Sequence, residues 1–188
     1  MPAPPPRPKA PERHRTPPSV RVELIVNDDR WAAVPGLQRI ELLASAAVGL
    51  LADSPEPHEV AVALGSDDEV RHLNRTYRGK NMPTNVLSFP AAGSPDIGAL
   101  GDVILAYETC AEEAEERHIP ISDHACHLAL HGILHLLGQD HEDPDEADAM
   151  EGLETRLLAA VGIDDPHSGE TFTEYPDETD DEPGSPRD

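Results

Sequence analysis

Both ends of the chain are written in residues that cannot build a core, which confines folding to the stretch between them. Residues 1–20, MPAPPPRPKAPERHRTPPSV, hold eight prolines and four basic residues, and apart from Met1 and the prolines no apolar side chain larger than valine. Such a segment buries too little surface to offset the entropy of ordering it. From Asp164 onward, DDPHSGETFTEYPDETDDEPGSPRD sets ten acidic residues against one arginine, with neither a helical nor a strand period. We therefore expect a disordered proline-rich arm over 1–19, one folded domain over 20–163 and a disordered acidic tail over 164–188. What lies between the ends is the size of one ordinary domain with one core.

The net charge of −23 is not confined to the tail. The arm carries +3 and the tail −9, leaving −17 for residues 21–163. A polyanionic partner would have to be met by a local basic patch, because the overall field repels it. No stretch resembles the apolar centre of a signal peptide, and none approaches the roughly 20 apolar residues of a membrane span. The expectation is a cytoplasmic protein with no membrane partner. Cys110 and Cys126 form no CxxC pair, so neither a disulfide framework nor a cysteine-rich zinc site is indicated.

Within the central stretch, VRVELIVND alternates and is β-branched, as a strand should be, and EVAVALG gives a second. Between them, residues 36–53 carry a helical apolar stripe through Leu37, Ile40, Leu43, Ala47 and Leu50. Ser66 opens the next helix with a capping box, Glu69 lying three residues on. Its buried stripe is expected at Val70, Leu73 and Tyr77. Arg71, Arg75 and Arg78 share another side of that helix, and Lys80 follows it; this is the one concentrated basic patch of the domain. NMPTNVLSFP gives a turn and a short strand, and LGDVILAY a further strand. Helices are expected near 108–118, 123–137 and 144–161, the second closed by Gly138 as a left-handed cap. Strands cluster before Tyr107 and helices after it. The fold class is α+β: a single domain with a small mixed sheet packed against helices.

The stretch HGILHLLGQDH, residues 131–141, carries the chemistry. On a helix, His131 and His135 are four apart and stand on one face, so two ring nitrogens reach one point. Gly138 lets the chain turn, and His141 can swing back with a third. Three imidazoles around a divalent ion leave one position open, the composition of catalytic rather than structural zinc. His127, one turn earlier, is expected as a packing neighbour or supporting partner. Asp140, Glu142 and Asp143 read as an acidic solvated loop. The spacing HxxxHxxGxxH is shared with metzincin proteases, whose first histidine is followed by a glutamate that serves as general base. Here that position is Gly132.

HGILHLLGQDH also resembles the signature of the bacterial YbeY family of ribosomal RNA maturation endoribonucleases. LNRTYRGKNMPTNVLSFP, residues 73–90, is similar to that family's other characteristic block, and LGDVILA and DEADAMEGLETRLL fit its pattern. The resemblance covers roughly residues 20–162. It implies a single-strand-directed, metal-dependent endoribonuclease acting in 3′-end maturation of small-subunit (16S) ribosomal RNA and in ribosome quality control. It places one divalent ion, zinc by preference, on His131, His135 and His141, and the functional arginine on Arg78. A guanidinium is a planar fork suited to two phosphate oxygens. Arg71, Arg75 and Lys80 are candidate contacts to the RNA backbone, with ribosomal RNA and small-subunit proteins as partners. Gln139 stands where the family often has tyrosine, and Asn81 where aspartate is common. Two other readings stay open: a ribosome-assembly factor with a structural metal, and a metalloprotease-like hydrolase.

Overall fold

The computed structural model describes residues 18–52, 54, 56–92, 98–141 and 143–168. Residues 1–17 of the arm, the tail from residue 169 and Glu142 of the acidic loop lie outside the described residues. Among the described residues, four strands and five α-helices follow one another as β1 (Val20–Val26), α1 (Arg39–Leu51), β2 (His58–Gly65), α2 (Asp67–Arg78), β3 (Val86–Pro90), β4 (Ala99–Ala106), α3 (Tyr107–Glu116), α4 (Ile121–Leu136) and α5 (Pro144–Ala160). A short 3-10 turn, Asp29–Ala33, links β1 to α1.

The sheet runs β1-β2-β4-β3. β1, β2 and β4 are parallel, and β3 joins β4 antiparallel as an edge strand. This is the mixed sheet of an α+β domain. Strand alternation splits its side chains between two faces. Val60, Val62 and Leu64 of β2 and Val103 and Leu105 of β4 enter the main core with α1, α4 and α5. Leu87, Ile104 and Ala106 face the other way and meet Val70 and Leu73 of α2. Gly101 sits where β4 passes Pro90 of β3, with φ of 135°, and a Cβ there would lie 2.2 Å from the Phe89 carbonyl oxygen. The glycine of LGDVILA is a requirement of that crossing.

α4 buries 12 of its 16 residues, so it is the central helix, sheathed by the sheet, α1, α3 and α5. Both cysteines lie buried and free, Cys110 on α3 and Cys126 on α4. Burial pushes the Cys126 thiol up to about 11.

Two expected core positions are exposed instead. Leu50 is 65% exposed, because the face of α1 that meets the core runs Ile40, Leu43, Ala44, Ala47 and Val48 and is continued by Leu51, four beyond Ala47. Tyr77 is 69% exposed, its ring packing edge-on against Phe89 of the edge strand with centroids 5.3 Å apart. The buried place on that helix goes to Asn74, whose side-chain amide donates to the Met82 carbonyl at 2.8 Å and ties the following loop to α2. The capping box at Ser66 and Glu69 forms as expected.

Candidate metal centre

The last turn of α4 and the loop after it bring three histidines together. His131 and His135 stack one turn apart, and their Nε2 atoms are 3.0 Å apart. At Gly138, φ is 82°, and the chain turns back with the Gln139 N–H donating to Leu134 O at 3.0 Å. His141 then lies over both rings, with centroids 5.4 Å from His131 and 5.0 Å from His135. One ring nitrogen from each histidine lies within 4.8 Å of the other two.

The second nitrogens decide what the first can do. His135 Nδ1 donates to the carbonyl oxygen of Gln139 at 3.0 Å, and a carbonyl can only accept. His131 Nδ1 donates to Glu154 Oε1 at 2.8 Å. Both rings therefore carry their proton on Nδ1, and two Nε2 lone pairs point at each other across 3.0 Å. Lone pairs at that distance repel unless a cation lies between them. The donor set fits a divalent ion: three imidazoles, with two tautomers fixed from behind in the way metal-binding histidines usually are. Burial, together with the neighbouring His131 and His141, holds the His135 imidazole below its ordinary value, so it stays neutral at physiological pH.

Glu154, on α5, is the anchor behind His131. Only 1% of its side chain is exposed, and it takes three histidines at once: His131 on Oε1, and His127 and His167 on Oε2 at 3.2 and 2.9 Å. Burial pushes its carboxyl up, but the hydrogen bonds from His127 and His131 outweigh this and keep it ionised far below the usual carboxylate range. A similar pair lies one turn toward the start of α4, where His124 Nε2 donates to Glu113 Oε2 at 2.6 Å. The Nδ1 atoms of His124 and His127 are buried with no hydrogen-bond partner among the described residues.

Gly132 faces the sheet. A Cβ there would lie 2.8 Å from Val103 Cγ1 and 3.5 Å from Val86 Cγ2. The position that bears the base in a metzincin is thus pressed against β4 and β3, with no space for a glutamate.

Arg78 ends α2 at the edge strand, where its guanidinium donates to Ser88 O at 3.3 Å and is otherwise exposed. Arg75 and Lys80 are exposed beside it. Arg71 is held by Asp68 at 2.7 Å. The structure thus gathers the three histidines into one cluster; of the four cations, Arg78 reaches β3 through Ser88 O, while Arg71 and Arg75 lie along α2 and Lys80 just past it. Asp140 caps the His141 N–H and Asp143 caps α5.

A family model described as Endoribonuclease YbeY matches residues 34–162. The chain belongs to the YbeY family. The endoribonuclease YbeY of Azorhizobium caulinodans is 46% identical over 154 residues, which cover 79% of this chain and 97% of that one. Its counterpart in Paramagnetospirillum magneticum is 52% identical over 133 residues, covering 66% of this chain and 80% of the relative. The solution structure of TM1509 from Thermotoga maritima matches with a TM-score of 0.54 at 25% identity, over 75% of this chain and 89% of that chain.

Placed in the YbeY family, the departure at Gln139 has a simple physical reading. That residue serves His135 through its backbone carbonyl, which any side chain leaves in place. Asn81 is exposed in the turn after α2. Sequence reasoning missed Glu154 and His167. The signal for Glu154 lies in α5, where Met150, Leu153, Leu157 and Leu158 form the buried stripe and Glu154 falls in its middle. A carboxylate in that register has to be partnered. His167 lies in the stretch read as tail. Its turn follows α5 directly, and its Nε2 reaches Glu154.

Proposed function

We propose that His131, His135 and His141 hold one divalent ion, zinc by preference, and that the chain uses it to hydrolyse RNA phosphodiesters. The substrate is single-stranded ribosomal RNA, at the 3′ end of the small-subunit (16S) species and in ribosome quality control, with small-subunit proteins as partners in the cytoplasm. One observation carries the reading: two Nε2 lone pairs fixed on one point, with His141 beside them, in a member of the YbeY family. A bound ion supplies Lewis acidity toward a phosphoryl oxygen and lowers the pKa of water.

The protein's own residues supply the rest. Glu154 and the Gln139 carbonyl hold the two imidazoles in the ligating tautomer. Arg78 offers a planar fork to the scissile phosphate and stabilises the charge that builds there. Arg75 and Lys80 follow the RNA backbone, while Arg71, already paired with Asp68, contributes less. Among the described residues no helix is long and apolar enough to cross a membrane.

The test is incubation of purified protein with a precursor fragment of small-subunit ribosomal RNA, its DNA counterpart and an unstructured peptide. Cutting of the RNA alone is expected. Arg78→Ala should retain its metal and lose roughly 100-fold or more in cleavage rate, the usual effect of removing one charge-stabilising donor. Peptide cutting, or an Arg78→Ala protein as active as the parent, would overturn the reading.

A further inference from the structure

His127, Glu154 and His167 make a second cluster, joined to the first through Glu154. His127 Nε2 and His167 Nε2 converge on one oxygen, Glu154 Oε2, at 3.2 and 2.9 Å. Their rings stand at 86° to each other, with centroids 5.5 Å apart, so they approach that oxygen from different directions. The other carboxylate oxygen is already taken by His131. One ligand atom from each of the three residues lies within 4.8 Å of the others. The side chains of His127, Glu154 and His167 are 4%, 1% and 16% exposed, so the cluster is nearly closed to solvent.

His167 is delivered by a built turn. Asp165 Oδ1 accepts from the His167 N–H at 3.0 Å and from Thr155 Oγ1 of α5 at 2.8 Å. Arg117, just after α3, donates to Pro166 O at 3.2 Å. The imidazole is thereby held over α5, with its backbone anchored from two sides.

Two imidazoles and one carboxylate are a donor set that takes divalent first-row ions, as in two-histidine, one-glutamate zinc sites. Ligand atoms around a tetrahedral ion at about 2.1 Å stand about 3.4 Å apart. The two distances to Glu154 Oε2, 3.2 and 2.9 Å, reach this by opening a few tenths of an ångström. We propose that His127 Nε2, Glu154 Oε2 and His167 Nε2 form a second site for a divalent transition-metal ion of the zinc class. Glu154 then joins the two centres, one oxygen on this ion and the other on His131. The second ion is a clasp that fastens residues 164–168 to α4 and α5 and fixes the carboxylate that orients His131.

The state without an ion, in which Oε2 accepts two N–H bonds, is separated from it by counting metal. The full-length protein and its variants are saturated with zinc and dialysed, and zinc per chain is measured by mass spectrometry, with circular dichroism confirming the fold. His167 and His141 both lie outside helices, so their removal leaves the core packing intact. Two zinc ions are expected in the parent, one in His167→Ala, one in His141→Ala and none in the double variant. One ion in the parent, retained in His167→Ala and lost in His141→Ala, overturns the second site and leaves the first. One ion in the parent, lost in His167→Ala and retained in His141→Ala, supports the second site and overturns the first.

Discussion

Gly132 and Glu154 show how much of the site is set by single side chains. At Gly132 a methyl group would press into Val103. Gly132→Ala should therefore destabilise the fold by about 1–3 kcal/mol, the usual penalty for overpacking, measured as a shift in the denaturant midpoint. An unchanged midpoint would mean the helix can move off the sheet. Glu154→Gln keeps the shape and removes the charge behind His131, and a loss of about 10- to 100-fold in zinc affinity at the first centre is expected from a titration against a competing chelator. The clustering of the three histidines was legible because their spacing is itself the geometry. Glu154 was not, because α5 reads PDEADAMEGLETRLL and one more acid in an acidic helix carries no contrast until the buried register is known.

Between elements, Glu113 is a cross-brace from α3 to the central helix. From α3 it accepts from His124 of α4 on Oε2, and both of its oxygens accept from the side-chain N–H2 of Asn85, just before β3. Burial pushes its carboxyl up, but the bonds from His124 and Asn85 prevail and hold it below the ordinary carboxylate value. A depressed carboxylate stabilises the fold above its unfolded pKa, and that stability drains away as pH falls through the folded one. Glu113→Gln should lower stability near neutral pH and flatten the fall below about pH 4.5, the ordinary carboxylate value. Parallel acid-unfolding curves for the two proteins would contradict the brace. Most elements were legible from period and caps, as in α2, where Ser66 and Glu69 announce the start. The passage from β4 into α3 was not. Ala106 caps α3 with no side-chain bond, so nothing in LGDVILAY marks Tyr107 as helical, and its ring is instead spent on Trp31, with centroids 5.1 Å apart.

The molecule as a whole is acidic and touches RNA, on this reading, through one strip of cations at Arg75, Arg78 and Lys80. Residues 169–188 add eight carboxylates against one arginine. Opposite charge predicts that they compete with RNA for that strip. Truncation after Ser168, which keeps His167 in place, should raise RNA affinity several-fold in low salt and leave it unchanged in high salt, where the Debye length shrinks to about 3 Å at 1 M. Equal affinity at low salt would remove the competition. The fold class, the strip and the histidine cluster were all open to sequence reasoning, because each is a local pattern. The carboxylate that links α5 to α4, and the turn that brings His167 onto it, depend on contacts between distant segments.

On this reading the three-histidine centre drives RNA cleavage. This is tested most directly by following a small-subunit ribosomal RNA precursor with the parent protein, a chelated sample and His135→Ala purified in parallel. Cleavage by the parent alone, restored to the chelated sample by zinc and never to His135→Ala, is the expected result. Equal cleavage by all three, with metal confirmed in the parent and absent from the variant, would contradict it.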